Sequence, residues 1–85
     1  MTNIDLLSKI DRALISIDPN SITASANIGS IHRQLIWCRA QLTGQPSGLK
    51  RGPLTMGLIA TREFDMWGDN PELAGLINEI QRAFE

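Results

Sequence analysis

The chain has 85 residues, enough for one small domain, and its 42% apolar content excludes disorder along the whole length. Its formal net charge of −1 argues against a polyanion binder that works by overall charge. With Cys38 and His32 as the single cysteine and histidine, an internal disulfide and the usual Cys/His zinc set are excluded. The first residues do not resemble a secretory signal, and no stretch approaches the roughly 18–20 apolar residues of a membrane span. We therefore expect a reduced, cytoplasmic protein with no membrane segment, metal or cofactor.

The first segment, from about Asn3 to Ile17, is predicted to form an amphipathic helix. Its apolar residues recur at three- and four-residue steps and fall on one arc about 120° wide. They are Leu6, Leu7, Ile10, Ala13, Leu14 and Ile17. Lys9 and Arg12 lie outside this arc, as expected for the solvated side of the helix.

A second helix is predicted to begin at Pro19, with Asp18 as its N-cap, and to continue to about Leu42. Its apolar residues alternate steps of four and three, which gives a heptad-like seam too short for a free coiled coil. They are Ala24, Ile28, Ile31, Leu35, Cys38 and Leu42. Gly44 is suited to a left-handed C-terminal cap.

The second half of the chain begins with an irregular stretch, residues 45–53, and then contains two further predicted segments. The third, about Leu54 to Trp67, favours a helix, because its apolar residues share one broad face, namely Met56, Ile59, Ala60, Phe64 and Trp67. A short strand over 54–60 is the competing interpretation because Gly57 weakens a helix. The fourth runs from Pro71 to Phe84, with Asn70 as its N-cap. The sequence therefore predicts one all-α domain, a compact bundle of about four short helices with mostly antiparallel neighbours.

Charge is segregated along the chain. No acidic residue occurs between residues 19 and 62, whereas the last 23 residues contain six acids and one base. One interpretation is that the two parts pack together and their charges pair across helices. The other is a basic surface that meets an anionic partner, either an acidic protein or a phosphate backbone. The basic surface would consist of Arg33, Arg39, Lys50 and Arg51.

Trp37 and Ile36 lie off the apolar seam of the second helix, and Arg33 precedes Trp37 by one turn. One interpretation is a central helix that buries two faces. The other is an exposed anchor in which Arg33 stacks on the indole ring, a pair typical of interface hot spots and also able to stack on an unpaired base.

Catalytic patterns are weak. Glu63 falls inside the apolar arc of the third segment and could act as an acid or base, but we expect a carboxylate at the rim of the core. His32 and Cys38 lie about 120° apart on a helix and do not face each other, so we expect a core cysteine and a flanking histidine. The loop 48–53 could cradle an anion, but it lacks the spacing of a Walker loop.

These patterns favour a small non-catalytic protein–protein interaction module of the immunity, antitoxin or accessory-subunit type, which acts by occupying a partner surface. The predicted contact residues are Trp37, Arg33, Ile36, Arg39, Lys50 and Arg51. Another protein, with acidic character, is the expected partner, and a homodimer is compatible with the pattern. The alternative is a helical nucleic-acid-binding domain that uses the basic region 33–51.

Overall fold

The computed structural model describes residues 3–44, 54–65 and 70–84. Five α-helices and one π-helical segment account for nearly all of them. They are α1 (Asn3–Ser16), α2 (Pro19–Ala24), α3 (Ala26–Thr43), α4 (Met56–Ala60), the π segment (Thr61–Asp65) and α5 (Pro71–Phe84). Within these ranges there is no β-strand, so the all-α prediction is confirmed and the strand alternative over 54–60 is wrong. The physical reason is visible in α4, where Met56 and Ala60 are one helical turn apart and both completely buried.

Four helices form a ring around the core, in which α1 and α4 each contact both α3 and α5. Hydrogen bonds fix the direction of α3 relative to α4. Gln34 bonds to Thr55 at the start of α4, whereas Asn27, earlier on α3, bonds to Glu63 in the π segment. These two elements therefore run antiparallel.

Helices α4 and α5 are also antiparallel, since Gly57 bonds to Gln81 and Thr61 bonds to the earlier Asn78. The prediction of antiparallel neighbours is confirmed for these pairs. The short α2 packs on α3, outside the ring.

The core contains buried apolar side chains from every α-helix except α2. The largest that are completely buried are Ile10, Ile31, Leu35, Met56, Ile77, Ile80 and Cys38. The apolar seam predicted for the second segment is confirmed over its central part, where Ile31, Leu35 and Cys38 are completely inaccessible to solvent. Among the described residues, no polar or charged residue is buried in this way.

The predicted helix ends are confirmed where local chemistry determines them. A side-chain oxygen of Asp18 accepts a hydrogen bond from the Asn20 N–H at 3.0 Å, with Pro19 in the first turn. Asn70 caps α5 in the same way through the Leu73 N–H at 3.2 Å. Gly44 ends α3 in the left-handed region, with φ of 74°.

The second segment is two helices, which corrects the prediction of one continuous helix from Pro19 to Leu42. Ser25 adopts an extended conformation, with φ of −125° and ψ of 120°. Its N–H donates to the Ser21 carbonyl and its hydroxyl accepts from the Ile28 N–H, so one residue ends α2 and caps α3. The chain turns there because α2 packs against α3 at Gly29, where a Cβ would lie 2.9 Å from the Ile22 carbonyl oxygen.

The start of α4 is capped by side chains from two other helices. The Gln34 Oε1 of α3 accepts from the Thr55 and Met56 N–H groups at 2.9 and 2.8 Å. The Gln81 Oε1 of α5 accepts from the Gly57 N–H at 2.7 Å. Thr55, the residue at the N-cap position, supplies no side-chain cap. These contacts satisfy N–H groups that a helix start otherwise leaves unpaired.

The third segment is helical, but its α-helical part ends at Ala60 and continues as the π segment. A π turn is wider than an α turn, so the face predicted from a regular 100° step changes after Ala60. Trp67, which the sequence placed on that face, lies outside the described residues.

Candidate interaction surface

The side of α3 opposite its buried seam contains three of the six predicted contact residues, namely Arg33, Ile36 and Trp37. Together with Ala40 we call it the α3 face. On a helical wheel these four residues lie within about 100° of one another and opposite the buried seam. Arg33 is exposed, Ile36 is 41% exposed, and Trp37 and Ala40 are half-buried. The prediction that Ile36 is off the seam is therefore confirmed.

Trp37 is part of the packed structure rather than a free-standing anchor. Its ring meets the ring of Phe84 edge to face, with centroids 6.1 Å apart and planes at 64°. Both side chains pack against the core. The contact with Phe84 fixes the Trp37 ring at the edge of the α3 face and favours the interpretation of a helix that buries two faces.

Arg33 extends toward the N-terminal end of α3. Its Nη1 atom is 3.5 Å from the position that a Cβ on Gly29 would occupy, one turn earlier along the helix. Trp37 lies one turn later. The predicted stack of Arg33 on the indole ring therefore does not match this geometry, because the guanidinium is directed away from Trp37. It projects instead beside the junction of α3 with α2.

Arg39 is engaged by a carboxylate on the neighbouring helix. Its Nε donates to the Asp11 Oδ1 at 2.9 Å, and both side chains are about two-fifths exposed. This pair joins α3 to α1 and reduces the positive charge that Arg39 offers a partner. The remaining two predicted contact residues, Lys50 and Arg51, lie outside the described residues.

A second ion pair joins α1 to α5. Lys9 Nζ is 2.7 Å from Glu79 Oε2. The hydrogen bond from Lys9 and its positive charge hold the pKa of the Glu79 carboxyl below its usual range, with Arg82 and Arg12 adding smaller effects of the same sign. Arg39 and Glu79 therefore each pair with a charge on another helix, but neither pair joins the basic middle of the chain to its acidic end, as the first interpretation expected. In each case the partner comes from α1.

A cleft of about 370 Å³ lies at the end of the bundle where α1 ends and α5 begins. Its lining combines apolar side chains with five polar ones. The lining residues are Ser16, Ile17, Asp18, Ser21, Ile28, Glu63, Phe64, Asn70 and Leu73. Two of the polar groups are already used in helix caps, through Asp18 and Asn70.

Glu63 is a half-buried residue at this cleft, which confirms the interpretation as a carboxylate at the rim of the core. Its Oε1 accepts from the Asn27 Nδ2 of α3 at 2.8 Å, so the carboxylate serves to join the π segment to α3. Cys38 is completely buried and His32 is half-buried, as expected for a core thiol and a flanking imidazole.

Two exposed isoleucines on α1 were not predicted as surface residues of interest. Ile4 and Ile15 are 81% and 83% exposed, more than Leu58 of α4 at 60%. The sequence does indicate that they are exposed, because both residues fall outside the apolar arc of the first segment.

None of the described helices is long and apolar enough to cross a membrane. Across residues 3–44, 54–65 and 70–84, no group of three or more His, Cys, Asp and Glu residues could hold a metal ion. In comparisons with known proteins, no family model matches this chain, and neither a curated protein nor a solved structure is significantly similar to it.

Proposed function

We propose that this domain is a non-catalytic protein-binding module that occupies a partner surface through the α3 face. The observation that carries the proposal is the position of Ile36, a large apolar side chain left 41% exposed between an exposed arginine and a fixed tryptophan. Arginine and aromatic side chains are enriched in interface hot spots. A ring held by packing also loses little conformational entropy when a partner binds.

The expected partner surface is apolar at its centre and acidic at its edge. Within the described part of the chain, Arg33 forms no ion pair, and its guanidinium would donate hydrogen bonds to a partner carboxylate. Ile36 requires an apolar contact beside it. Lys50 and Arg51 follow α3 in the sequence and extend the basic character that an acidic protein would recognise. An immunity protein, an antitoxin or an accessory subunit would act in this way, and we propose the cytoplasm as the location.

The test compares two variants of the α3 face with two matched variants elsewhere. A tagged domain captures its partner from the native host at low salt, and the affinity for that partner is then measured by titration. We expect Ile36→Asp and Arg33→Glu each to weaken binding at least tenfold. Leu58→Asp and Arg62→Glu place the same changes on exposed residues of α4 and the π segment, and should bind like the parent. Equal losses in all four variants, or in none, would refute the assignment of the α3 face.

Trp37→Ala needs a parallel stability measurement. If Trp37 is a hot spot, its removal should weaken the complex by about 2 kcal/mol or more. The same change removes the contact with Phe84 and should also lower the free energy of unfolding. Affinity is therefore measured under conditions in which circular dichroism shows the variant to be folded.

The alternative is a nucleic-acid-binding domain that uses the basic region 33–51. The ion pair between Arg39 and Asp11 counts against it, because that arginine is already neutralised in part. Titration with DNA and RNA at several salt concentrations separates the two functions. Binding that falls steeply with salt and is lost in Arg33→Glu would replace the protein-binding proposal.

A further inference from the structure

The outward side of α1 contains two isoleucines that take no part in the core. Ile4 and Ile15 are 81% and 83% exposed. They are 11 residues apart, which places them within about 20° of each other around the helix and about 16 Å apart along it. Ala13, about 180° from Ile4, is completely buried. The two isoleucines therefore lie on the line of α1 that points directly away from the core.

Single exposed apolar residues are common, but two on one line of a helix form an organised surface. Both are β-branched and are weaker helix formers than the lysine or glutamate that suits a solvated position. Between them lie Ser8 and Asp11, which are short and leave room for a neighbouring helix. We call the surface formed by Ile4, Ser8, Asp11 and Ile15 the α1 face.

We propose that the α1 face is a self-association surface, on which α1 of a second copy packs antiparallel about a two-fold axis between Lys9 and Ile10. In this arrangement Ile4 of one copy meets Ile15 of the second copy, and the reverse contact follows by symmetry. A two-fold interface must be complementary to itself. The α1 face meets this condition because Ser8 and Asp11 are also related by the same axis, as a hydroxyl donor and a carboxylate acceptor.

Charge complementarity supports a second copy as the occupant. Asp5 and Arg12 are seven residues apart, so they lie within about 20° of each other on one edge of the α1 face, and both are exposed. The two-fold axis brings Asp5 of one copy to within about 3 Å, along the helix direction, of Arg12 of the second copy. Opposite charges therefore meet twice in the antiparallel pair. Lys9 points elsewhere, toward Glu79 of α5.

The α1 face and the α3 face are separate surfaces, so the proposed dimer does not depend on the proposed partner. One helix from each copy makes a small interface, and we expect a transient dimer rather than a permanent one. Asp11 contacts Arg39 through Oδ1, and its second carboxylate oxygen can accept the Ser8 hydroxyl of the second copy.

The first test is sedimentation equilibrium of the full chain from micromolar to millimolar concentration. We expect a monomer–dimer equilibrium in the parent, and at least tenfold weaker association in Ile4→Lys/Ile15→Lys. Leu58→Lys, which changes an exposed apolar residue on α4, should associate like the parent. Because all three side chains are exposed, circular dichroism should show that each variant is folded. A parent that remains monomeric at millimolar concentration would overturn the proposal, as would a dimer that the paired lysines do not weaken.

The second test decides the orientation of the two helices. Ile4→Glu/Ile15→Lys places opposite charges together in an antiparallel pair but like charges together in a parallel pair. We therefore expect this variant to associate more tightly than Ile4→Lys/Ile15→Lys at low salt, with the difference decreasing as salt is added. Equal association of the two variants would exclude the antiparallel arrangement.

Discussion

Gly57 offers a direct test of how closely α4 and α5 must approach. A Cβ on Gly57 would collide with the Asn78 Oδ1 and would lie 3.0 Å from the Gln81 Oε1. Asn78 cannot move away freely, because its Nδ2 donates to the carbonyl oxygens of Gly57 and Ala74. We therefore expect Gly57→Ala to separate the two helices or to break these hydrogen bonds.

The expected change in the free energy of unfolding follows from the contacts that Gly57→Ala would disturb. Overpacking costs about 1–3 kcal/mol, and each lost hydrogen bond costs about 1 kcal/mol. Alanine returns at most about 1 kcal/mol through its higher helix propensity. The expected net loss in the free energy of unfolding is about 2 kcal/mol, which corresponds to a decrease in Tm of roughly 8–16 °C for a domain of this size.

Gly75 supplies the matched control. It also lies inside a helix, but a Cβ there would meet nothing within 4 Å. Gly75→Ala should therefore raise the free energy of unfolding by about 0.5–1 kcal/mol. Urea unfolding followed by circular dichroism measures both variants. If Gly57→Ala is as stabilising as Gly75→Ala, the described approach of α4 to α5 is wrong. If the approach is right, Asn78→Ala combined with Gly57→Ala should cost less than the two separate changes added together.

Two further variants test the polar contacts between helices. Gln34→Ala leaves the Thr55 and Met56 N–H groups without their acceptor, so we expect the free energy of unfolding, measured with urea, to fall by about 1–2 kcal/mol. Gln41→Ala, on the exposed side of the same helix, should change it by less than about 0.5 kcal/mol. Equal losses in the two variants would contradict the capping role of Gln34. Lys9→Met should raise the pKa of Glu79 toward its usual range, as measured by NMR titration of the side-chain carboxyl. Because Lys9 lowers this pKa in the folded protein, its stabilising effect is present at neutral pH and is lost as the pH falls through the lowered pKa. In Lys9→Met, the free energy of unfolding should therefore lack the part that depends on ionisation of Glu79. An unchanged Glu79 pKa would refute Lys9 as the cause of the lowered pKa.

The helix boundaries that local chemistry determines were predictable from the sequence. Asp18 before Pro19 and Asn70 before Pro71 each combine a capping side chain with a proline in the first turn, and both caps are present. The period of the apolar residues likewise predicted which side of α3 is buried, because that period reflects the 3.6-residue helix turn.

The boundaries that depend on tertiary packing were not predictable in this way. Residues 20–28 contain no glycine or proline, and the small residues among them are compatible with an uninterrupted helix. The break follows from the packing of α2 against Gly29, four residues after Ser25, a contact that the periodicity of the apolar residues does not reveal. The end of α4 at Ala60 is similar, because no sequence pattern distinguishes a π turn from an α turn.

The surface chemistry was predicted only in part. The exposure of Ile36 follows from its place on the wheel. The partner of Arg39 does not, because Asp11 lies 28 residues away in the sequence and belongs to neither charged block. Trp37 illustrates the same limit, since its environment depends on the position of Phe84 at the end of α5.

The capping of α4 by Gln34 and Gln81 has a consequence for the order of folding. A helix of five residues does not persist in isolation, since nucleation alone is unfavourable. The acceptors for its first N–H groups are supplied by α3 and α5, so these groups are protected only after both helices are in place. Amide exchange at Met56 and Gly57 would then report the opening of the whole assembly rather than local fraying. The shortest element of the ring is thus the one whose formation depends on the docking of its neighbours.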